Sequence, residues 1–151
     1  MQIFIGSDHG GFAQKEQLTQ LLTAQGFSVT DCGTYTTDST DYPDFALAVC
    51  QAVIKQPRTK GILLCRSGEG MEMAANKVKG IRAALVWEEK VAQETRRDND
   101  ANVLVLPSDF ISSQDTEKIT NAFLHTEFSG EDRHIRRLEK LHHIEHTQYA
   151  P

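Results

Sequence analysis

Short hydrophobic runs alternate along the chain with segments of helical periodicity. Runs typical of strands occupy residues 2–6, 27–31, 61–65, 81–86 and 102–106, and a segment with helical character follows each of them. This alternation is typical of α/β proteins, in which buried parallel strands are connected by helices. The pattern therefore predicts an α/β fold around a parallel sheet.

The helix boundaries are marked by punctuating residues. The first helix is predicted at residues 12–24, with Leu18 and Leu22 on its apolar side and Gly26 as its C-terminal stop. Pro43 marks the start of the second helix. Further helices are predicted at residues 71–78, 88–97, 113–124 and about 132–146.

The chain shows no internal repeat, low-complexity segment or linker. We therefore predict one domain over residues 1–151, with the helix at about 132–146 followed by a short tail. A chain of this length buries roughly two-thirds of its unfolded surface without a disulfide or a structural metal.

Charge, cysteine content and the length of the first apolar run indicate which partners and which cellular compartment to expect. Asp plus Glu exceed Lys plus Arg by 21 to 16, so no nucleic-acid partner is expected. Cys32, Cys50 and Cys65 are too few and too widely spaced for a disulfide framework or a zinc pattern, which favours a reducing cytoplasm. The first apolar run ends before Asp8, too short for a signal peptide or a membrane span.

The segment around Cys65 carries the most chemical information. A hydrophobic run ends at Cys65, and a glycine-containing loop then leads into a predicted helix, whose first turn offers unpaired N–H donors. We expect this thiol to ionise more easily than a free one, whose pKa is about 8.5. The alternative is an inert buried cysteine beside glycines that only turn the chain.

Asp8, His9 and Cys65 all lie at the ends of predicted strands. Ligands of open α/β sheets bind at the carboxyl ends of the strands. We therefore expect these three residues to meet in space.

Six segments together resemble one family. They are residues 6–12 (GSDHGGF), 41–44 (DYPD), 65–70 (CRSGEG) with 74–78 (AANKV), 80–84 (GIRAA), 99–103 (NDANV) and 133–137 (RHIRR). The chain resembles, over about residues 1–141, the ribose-5-phosphate isomerase B family, which also includes allose-6-phosphate isomerase and the galactose-6-phosphate isomerase subunits.

The resemblance implies both a fold and an activity. The fold is a Rossmann-like three-layer α/β/α domain with a five-stranded parallel sheet, usually a homodimer or tetramer with active sites shared between two subunits. The activity is aldose–ketose isomerisation of a small-molecule sugar phosphate through a cis-enediolate, without a metal or other cofactor.

Moving a carbonyl from C1 to C2 of a sugar requires a base, a proton shuttle and donors for the enediolate. Cys65 suits the base, Ser67 the shuttle, and the N–H groups of the turn that contains Gly68 and Gly70 suit the enediolate.

The resemblance assigns further residues to the substrate. It places Asp8 and His9 on the sugar hydroxyls and ring oxygen, although a capping aspartate and a surface histidine would explain them equally simply. Tyr42 would line the substrate pocket, although packing at the start of a helix explains it equally well. Asn99 lies in a family motif that binds substrate.

A basic pair on the last helix is assigned to the phosphate. Arg133 and Arg137 lie four residues apart on one helix face, and His134 adds a possible third donor. A solvated basic face is the ordinary alternative.

Three positions depart from the family pattern. Asp98 stands where the family usually has a ring-opening histidine, Asp109 where it commonly has an arginine, and Arg66 where it usually has glycine. Arg66 would compensate the charge lost at position 109, and Asp98 would pair with Arg66 or take over as the catalytic group toward a different hydroxyl. The favoured interpretation is an isomerase with a shifted sugar preference, and efficient isomerisation of ribose-5-phosphate is a close second. A non-catalytic sugar-phosphate-binding or regulatory protein is the alternative.

Three histidines lie near the C-terminus. His142 and His146 form an i, i+4 pair of the kind that binds zinc, and His143 lies between them. No carboxylate or cysteine accompanies them at a characteristic spacing, so no metal site is expected.

Overall fold

The computed structural model describes residues 1–147, which form five strands and six helices. The strands are β1 (Gln2–Ser7), β2 (Ser28–Asp31), β3 (Lys60–Cys65), β4 (Ala83–Leu85) and β5 (Val103–Pro107). The helices are α1 (Phe12–Ala24), α2 (Tyr42–Lys55), α3 (Glu69–Ala75), α4 (Glu89–Asn99), α5 (Ser113–His125) and α6 (Asp132–Thr147). None of these helices is both long and apolar enough to cross a membrane.

The strands form one parallel sheet in the order β2-β1-β3-β5-β4. Side chains alternate between its two faces. Ile5 and Leu64 face a core shared with α1, α4 and α5, whereas Phe4 and Leu63 face one shared with α2 and α3. The three-layer α/β/α architecture with five parallel strands is thus confirmed, and α6 lies against α4.

The predicted elements differ from the observed ones mainly at β4. Residues 81–86 were predicted as a strand, but only Ala83–Leu85 pair with β5. The backbone N–H of Arg82 donates instead to the side-chain oxygen of Asn102, at 2.8 Å. A side-chain acceptor therefore takes the place of a backbone acceptor on the neighbouring strand. Helix α3 begins earlier and ends earlier than predicted, because Gly68 rather than Gly70 precedes its first turn.

The topology brings two strand ends together. Ser7 of β1 pairs with Leu64 of β3, so Asp8 and Cys65 leave adjacent strands at the carboxyl edge of the sheet. The chain order reverses between β1 and β3, which is where open α/β sheets bind their ligands. Helices that connect parallel strands run back along the sheet, so α4 ends at the opposite, amino edge.

Candidate active site

Cys65 is the last residue of β3 and is 6% exposed. The backbone N–H of Gly68 donates to its Sγ at 3.2 Å. Gly68 has a φ of +81°, in the left-handed region that favours glycine, and a Cβ there would lie 2.2 Å from Cδ1 of Leu85. The turn that follows β3 therefore folds back onto the sulfur.

The expectation that Cys65 ionises easily is wrong for the chain by itself. Burial raises the pKa of the Cys65 thiol above its ordinary value, and the nearby Asp8 carboxylate raises it further. The backbone N–H groups of Met71, Gly68 and Ser67 lower that pKa, but by less than burial and the Asp8 carboxylate together raise it. For comparison, burial raises the pKa of Cys50 to about 12, with no such opposing donors. The sequence indicated the donors but not the depth of burial.

Asp8 and His9 lie in the loop that follows β1. Oδ1 of Asp8 accepts hydrogen bonds from the N–H groups of Gly10 (2.9 Å) and Gly11 (3.1 Å). Asp8 therefore caps this turn, as expected for a capping aspartate. Nδ1 of His9 accepts from the N–H of Thr40 at 3.2 Å. Since Nδ1 accepts, the proton of a neutral His9 ring is on Nε2, which can donate to a ligand oxygen.

Tyr42 and Ser67 border the same loop cluster. A Cβ built on Gly70 would lie 2.8 Å from Cζ of Tyr42, so the tyrosine ring lies directly on this glycine. Tyr42 is 37% exposed, and Ser67 is half-buried beside Cys65. Tyr42 thus packs against the turn and leaves part of its side chain exposed.

Arg66 projects across the mouth of this cluster. A Cβ on Gly10 would lie 2.5 Å from its Cγ, so the stem of Arg66 crosses the loop that follows β1. Its Nη1 lies 3.4 Å from Oδ2 of Asp109, and both side chains are largely exposed. The expected compensation between Arg66 and Asp109 is thus present as an ion pair. Within the same chain Asp98 pairs with Arg97 instead of Arg66, with Oδ1 of Asp98 3.2 Å from Nε of Arg97.

Asp98 and Asn99 lie at the other edge of the sheet, at the end of α4. The backbone oxygen of Asn99 accepts from Nε of Arg82, which immediately precedes β4. Gly61, near the start of β3, donates to the backbone oxygen of Asn102 at 2.9 Å. Cys65 is four residues further along β3, or about 13 Å at about 3.3 Å per residue. One chain therefore does not bring Asp98 to Cys65.

The predicted phosphate-binding residues lie on α6, at the same edge of the sheet as Asp98. Arg133 is 59% exposed, with Nε 2.9 Å from Glu131, and Arg137 is exposed on the same helix. His134 is instead buried. Its Nδ1 lies 3.0 Å from Oγ of Ser129 and 3.7 Å from Oδ1 of Asp98, so in this chain it is placed to orient Asp98 rather than to bind a phosphate.

The predicted site residues thus form two groups at opposite edges of the sheet. The carboxyl-edge group contains Asp8, His9, Tyr42, Cys65, Arg66, Ser67, Gly68 and Gly70, and the amino-edge group contains Asp98, Asn99, Arg133, His134 and Arg137. Sequence reasoning missed Thr40, whose loop offers no periodic signal. It also missed a groove of about 680 Å³ between α4, β4 and α6, to which Asp98 and Asn99 contribute.

Glu145 corrects the expectation for the C-terminal histidines. The ligand atoms of His142, Glu145 and His146 all lie within 4.8 Å of one another. A carboxylate therefore does accompany the histidine pair. The spacing His-x-x-Glu-His was visible in the sequence, and the statement that no carboxylate accompanies the pair overlooked Glu145.

A family model described as Ribose/Galactose Isomerase matches residues 3–141. The chain belongs to the ribose/galactose isomerase family. A probable ribose-5-phosphate isomerase B of Mycoplasma genitalium is 45% identical over 141 residues, 92% of each chain. The ribose-5-phosphate isomerase B of Mycolicibacterium paratuberculosis is 37% identical over 152 aligned positions, 100% of this chain and 96% of the relative.

Solved structures agree with this family membership. The ribose-5-phosphate isomerase B of Clostridium thermocellum superposes with a TM-score of 0.96 at 41% identity, over 99% of this chain and 100% of that one. The Mycoplasma genitalium enzyme with bound ribulose-5-phosphate gives 0.93 at 42% identity, over 97% of each chain. This protein is an aldose–ketose isomerase of the ribose-5-phosphate isomerase B type.

Proposed function

We propose that this isomerase interconverts ribose-5-phosphate and ribulose-5-phosphate through a cis-enediolate. The observation that carries the proposal is the position of Cys65, which ends β3 at the switch point with the N–H of Gly68 3.2 Å from its sulfur. Asp8 leaves the neighbouring strand, and His9 follows it. The ribulose-5-phosphate in the Mycoplasma genitalium structure supports this choice of sugar.

The roles follow from the chemistry of each group. The Cys65 thiolate removes the C2 proton, and Ser67 carries a proton between O1 and O2. The N–H groups of the turn that follows Cys65 stabilise the negative charge that develops on the enediolate oxygens. Asp8 accepts from a sugar hydroxyl, and His9 donates from Nε2 to a sugar oxygen.

We further propose that each active site is shared between two copies of the chain, in a homodimer or a tetramer. The support is the separation of the two residue groups, since Asp98, Asn99, Arg133 and Arg137 lie at the amino edge, away from Cys65 of the same chain. Two exposed arginines one helical turn apart suit the phosphate of a sugar bound at a partner's Cys65. A two-fold dimer forms two such sites at once.

The Arg66–Asp109 ion pair supports a shifted sugar preference. The pair holds a positive group beside Cys65, where the family usually has glycine. Asp98 supplies a carboxylate where the family usually has a ring-opening histidine. Both changes alter which anionic or hydroxyl group the pocket accepts. No observation favours the non-catalytic alternative.

Exchange of the C2 proton with deuterated solvent tests the proposed function directly. We expect wild-type protein to exchange this proton in ribose-5-phosphate, and Cys65→Ala to lose about 10²- to 10⁴-fold in rate while still binding the sugar. Cys32→Ser is the matched control, because Cys32 follows β2, which β1 separates from β3 in the sheet.

Two results would contradict the proposal. Binding without any exchange in the wild type would favour the non-catalytic alternative. Near-normal exchange in Cys65→Ala would assign the base to another residue, with exposed Glu69 at the start of α3 as the next candidate. Glu72 is less available, because its Oε1 accepts from the N–H of Leu85 at 3.2 Å.

A further inference from the structure

We propose that His142, Glu145 and His146 form a zinc-binding site at the C-terminal end of α6, at the margin of the groove that Asp98 and Asn99 also line. The three residues occupy positions i, i+3 and i+4 of one helix, so they share a face. Their ligand atoms all lie within 4.8 Å of one another, close enough for side-chain rotation to place them around one ion. The order His-x-x-Glu-His on a helix also occurs at the zinc sites of one class of metallopeptidases.

The ring of His146 is already oriented for a metal. Nδ1 of His146 lies 2.8 Å from the backbone oxygen of His142, and the two imidazole rings lie 4.1 Å apart. A carbonyl oxygen can only accept a hydrogen bond, so Nδ1 carries the proton and Nε2 keeps the lone pair. Zinc-binding histidines characteristically donate their other ring N–H in this way, which fixes the ring and its tautomer.

Glu145 supplies the negative charge and links the site to the body of the molecule. Both of its carboxylate oxygens lie 3.3 Å from the backbone N–H of Gly80. One N–H cannot satisfy the lone pairs of two oxygens, so Glu145 retains the capacity to bind a cation. Two imidazoles and one carboxylate are a ligand set that zinc adopts, with the fourth position left to water or a further ligand.

The choice of metal follows from the ligands. Imidazole suits zinc and other transition metals, whereas Mg²⁺ and Ca²⁺ prefer sites made entirely of oxygen ligands. His142 lies five residues beyond Arg137, about 7.5 Å along the helix at 1.5 Å per residue. The zinc therefore holds the last turns of α6 beside the groove that Asp98 and Asn99 line, while Cys65 and Ser67 remain the proposed groups for proton transfer.

Calorimetric titration of the purified full-length protein with Zn²⁺ tests the site. We expect one ion per chain, and at least tenfold weaker binding in His142→Ala and in His146→Ala. Glu145→Gln keeps the size of the side chain but removes its charge, and should also weaken binding. His143→Ala is the matched control, because His143 lies on the same helix but outside the cluster, and its affinity should equal that of the wild type.

Two further titrations identify the type of ligand that holds the metal. Mg²⁺ should produce no saturable heat, and Co²⁺ should give visible d–d bands without the sulfur-to-metal charge-transfer band that a cysteine ligand would add.

Far-UV circular dichroism verifies that each variant retains α6. At a zinc concentration about a hundred times the dissociation constant, the apparent Tm should rise by about 5–10 °C.

The proposal is overturned by absence of saturable zinc binding, by binding that survives both histidine substitutions, or by a cobalt spectrum that shows thiolate ligation. Equal loss of affinity in His143→Ala would also overturn it. None of these readouts depends on isomerase activity.

Discussion

At the scale of single residues, two opposing effects act on the Cys65 sulfur. Burial and the Asp8 carboxylate raise the pKa of the thiol, and backbone N–H groups lower it by a smaller amount. Only the thiolate is a base, so the raised pKa leaves a small reactive fraction at neutral pH. The site thus holds a strong base that is mostly protonated before the substrate arrives.

We predict that kcat/KM of the wild type rises with pH through the neutral range. The increase should continue until the pH exceeds the pKa of Cys65, which burial raises above that of an ordinary thiol. Initial rates between pH 6 and pH 10 would measure this profile, with circular dichroism to verify folding at each pH. A plateau below pH 8 would contradict the assignment of Cys65 as a base with a raised pKa.

Arg66 and Asp109 carry the prediction about sugar preference. We expect wild-type protein to convert ribose-5-phosphate slowly for its family, and Arg66→Gly to lower kcat/KM further because Asp109 then keeps an unpaired negative charge. The triple variant Arg66→Gly, Asp98→His, Asp109→Arg should gain at least tenfold. Each charge-assisted contact that it restores contributes about 1.5–3 kcal/mol.

Asp109→Asn distinguishes the effect of the negative charge at position 109 from the effect of losing Arg66. It removes the carboxylate but leaves Arg66 in place, so it should raise kcat/KM relative to Arg66→Gly. Effects at residues in contact do not add, so each variant is measured by itself and in combination. Fast wild-type turnover of ribose-5-phosphate, or no gain in the triple variant, would show that the three departures have no bearing on preference.

At the scale of elements, the turn between β3 and α3 depends on Gly68. Gly68→Ala should destabilise the protein by about 1–3 kcal/mol more than Gly26→Ala, because a Cβ at Gly68 meets Leu85. Gly26 is the matched control, since its φ is also positive at +88° but no atom lies within 4 Å of its Cβ position. Thermal unfolding compares the two variants. Equal losses would mean that left-handed backbone strain accounts for both.

The helices and strands were predictable from the sequence because each combines periodicity with a local stop signal. Helix α1 has the predicted bounds, since four apolar positions and Gly26 define it locally. Strand β4 was predicted too long because its pairing depends on Asn102, a residue 20 positions away from Arg82. The pKa of Cys65 depends on long-range packing over the sulfur, which no local pattern reveals.

The arrangement of the site was only partly predictable. The meeting of Asp8 and Cys65 follows from a general property of parallel sheets, and the structure places them on neighbouring strands. The burial of His134 against Ser129 and Asp98 was not predictable, because an i, i+4 pattern gives the helix face but not what covers it.

At the scale of the whole molecule, the proposed shared site predicts complementation between inactive variants. Cys65→Ala lacks the base, and Arg137→Ala lacks a phosphate ligand, so each should be nearly inactive by itself. After mixing and subunit exchange, half of the dimers contain one chain of each kind, and each such dimer has one intact site. Activity should therefore recover to about a quarter of the wild-type value.

The recovery distinguishes a shared site from a site within one chain. If base and phosphate ligand came from the same chain, no mixture would contain an intact site, and activity would stay at the level of the separate variants. A mixture of two Cys65→Ala preparations, taken through the same exchange procedure, is the control for inactivation or activation by handling.

Chelation should leave isomerase turnover unchanged, because backbone N–H groups rather than a Lewis acid are proposed to hold the enediolate. Rates before and after dialysis against EDTA would measure this. Loss of turnover that a divalent metal restores would contradict the proposed mechanism and would give His142, Glu145 and His146 a catalytic role.

The placement of Asp98 and Cys65 at opposite edges of the sheet has a consequence for inhibition. A compound that binds the surface between two copies and keeps the chains apart would abolish turnover without resembling a sugar. Raising the substrate concentration would oppose such a compound, because substrate bound at a shared site favours the assembled pair of chains. The groove between α4, β4 and α6, which Asp98 and Asn99 help to line, gives such a compound a place to bind.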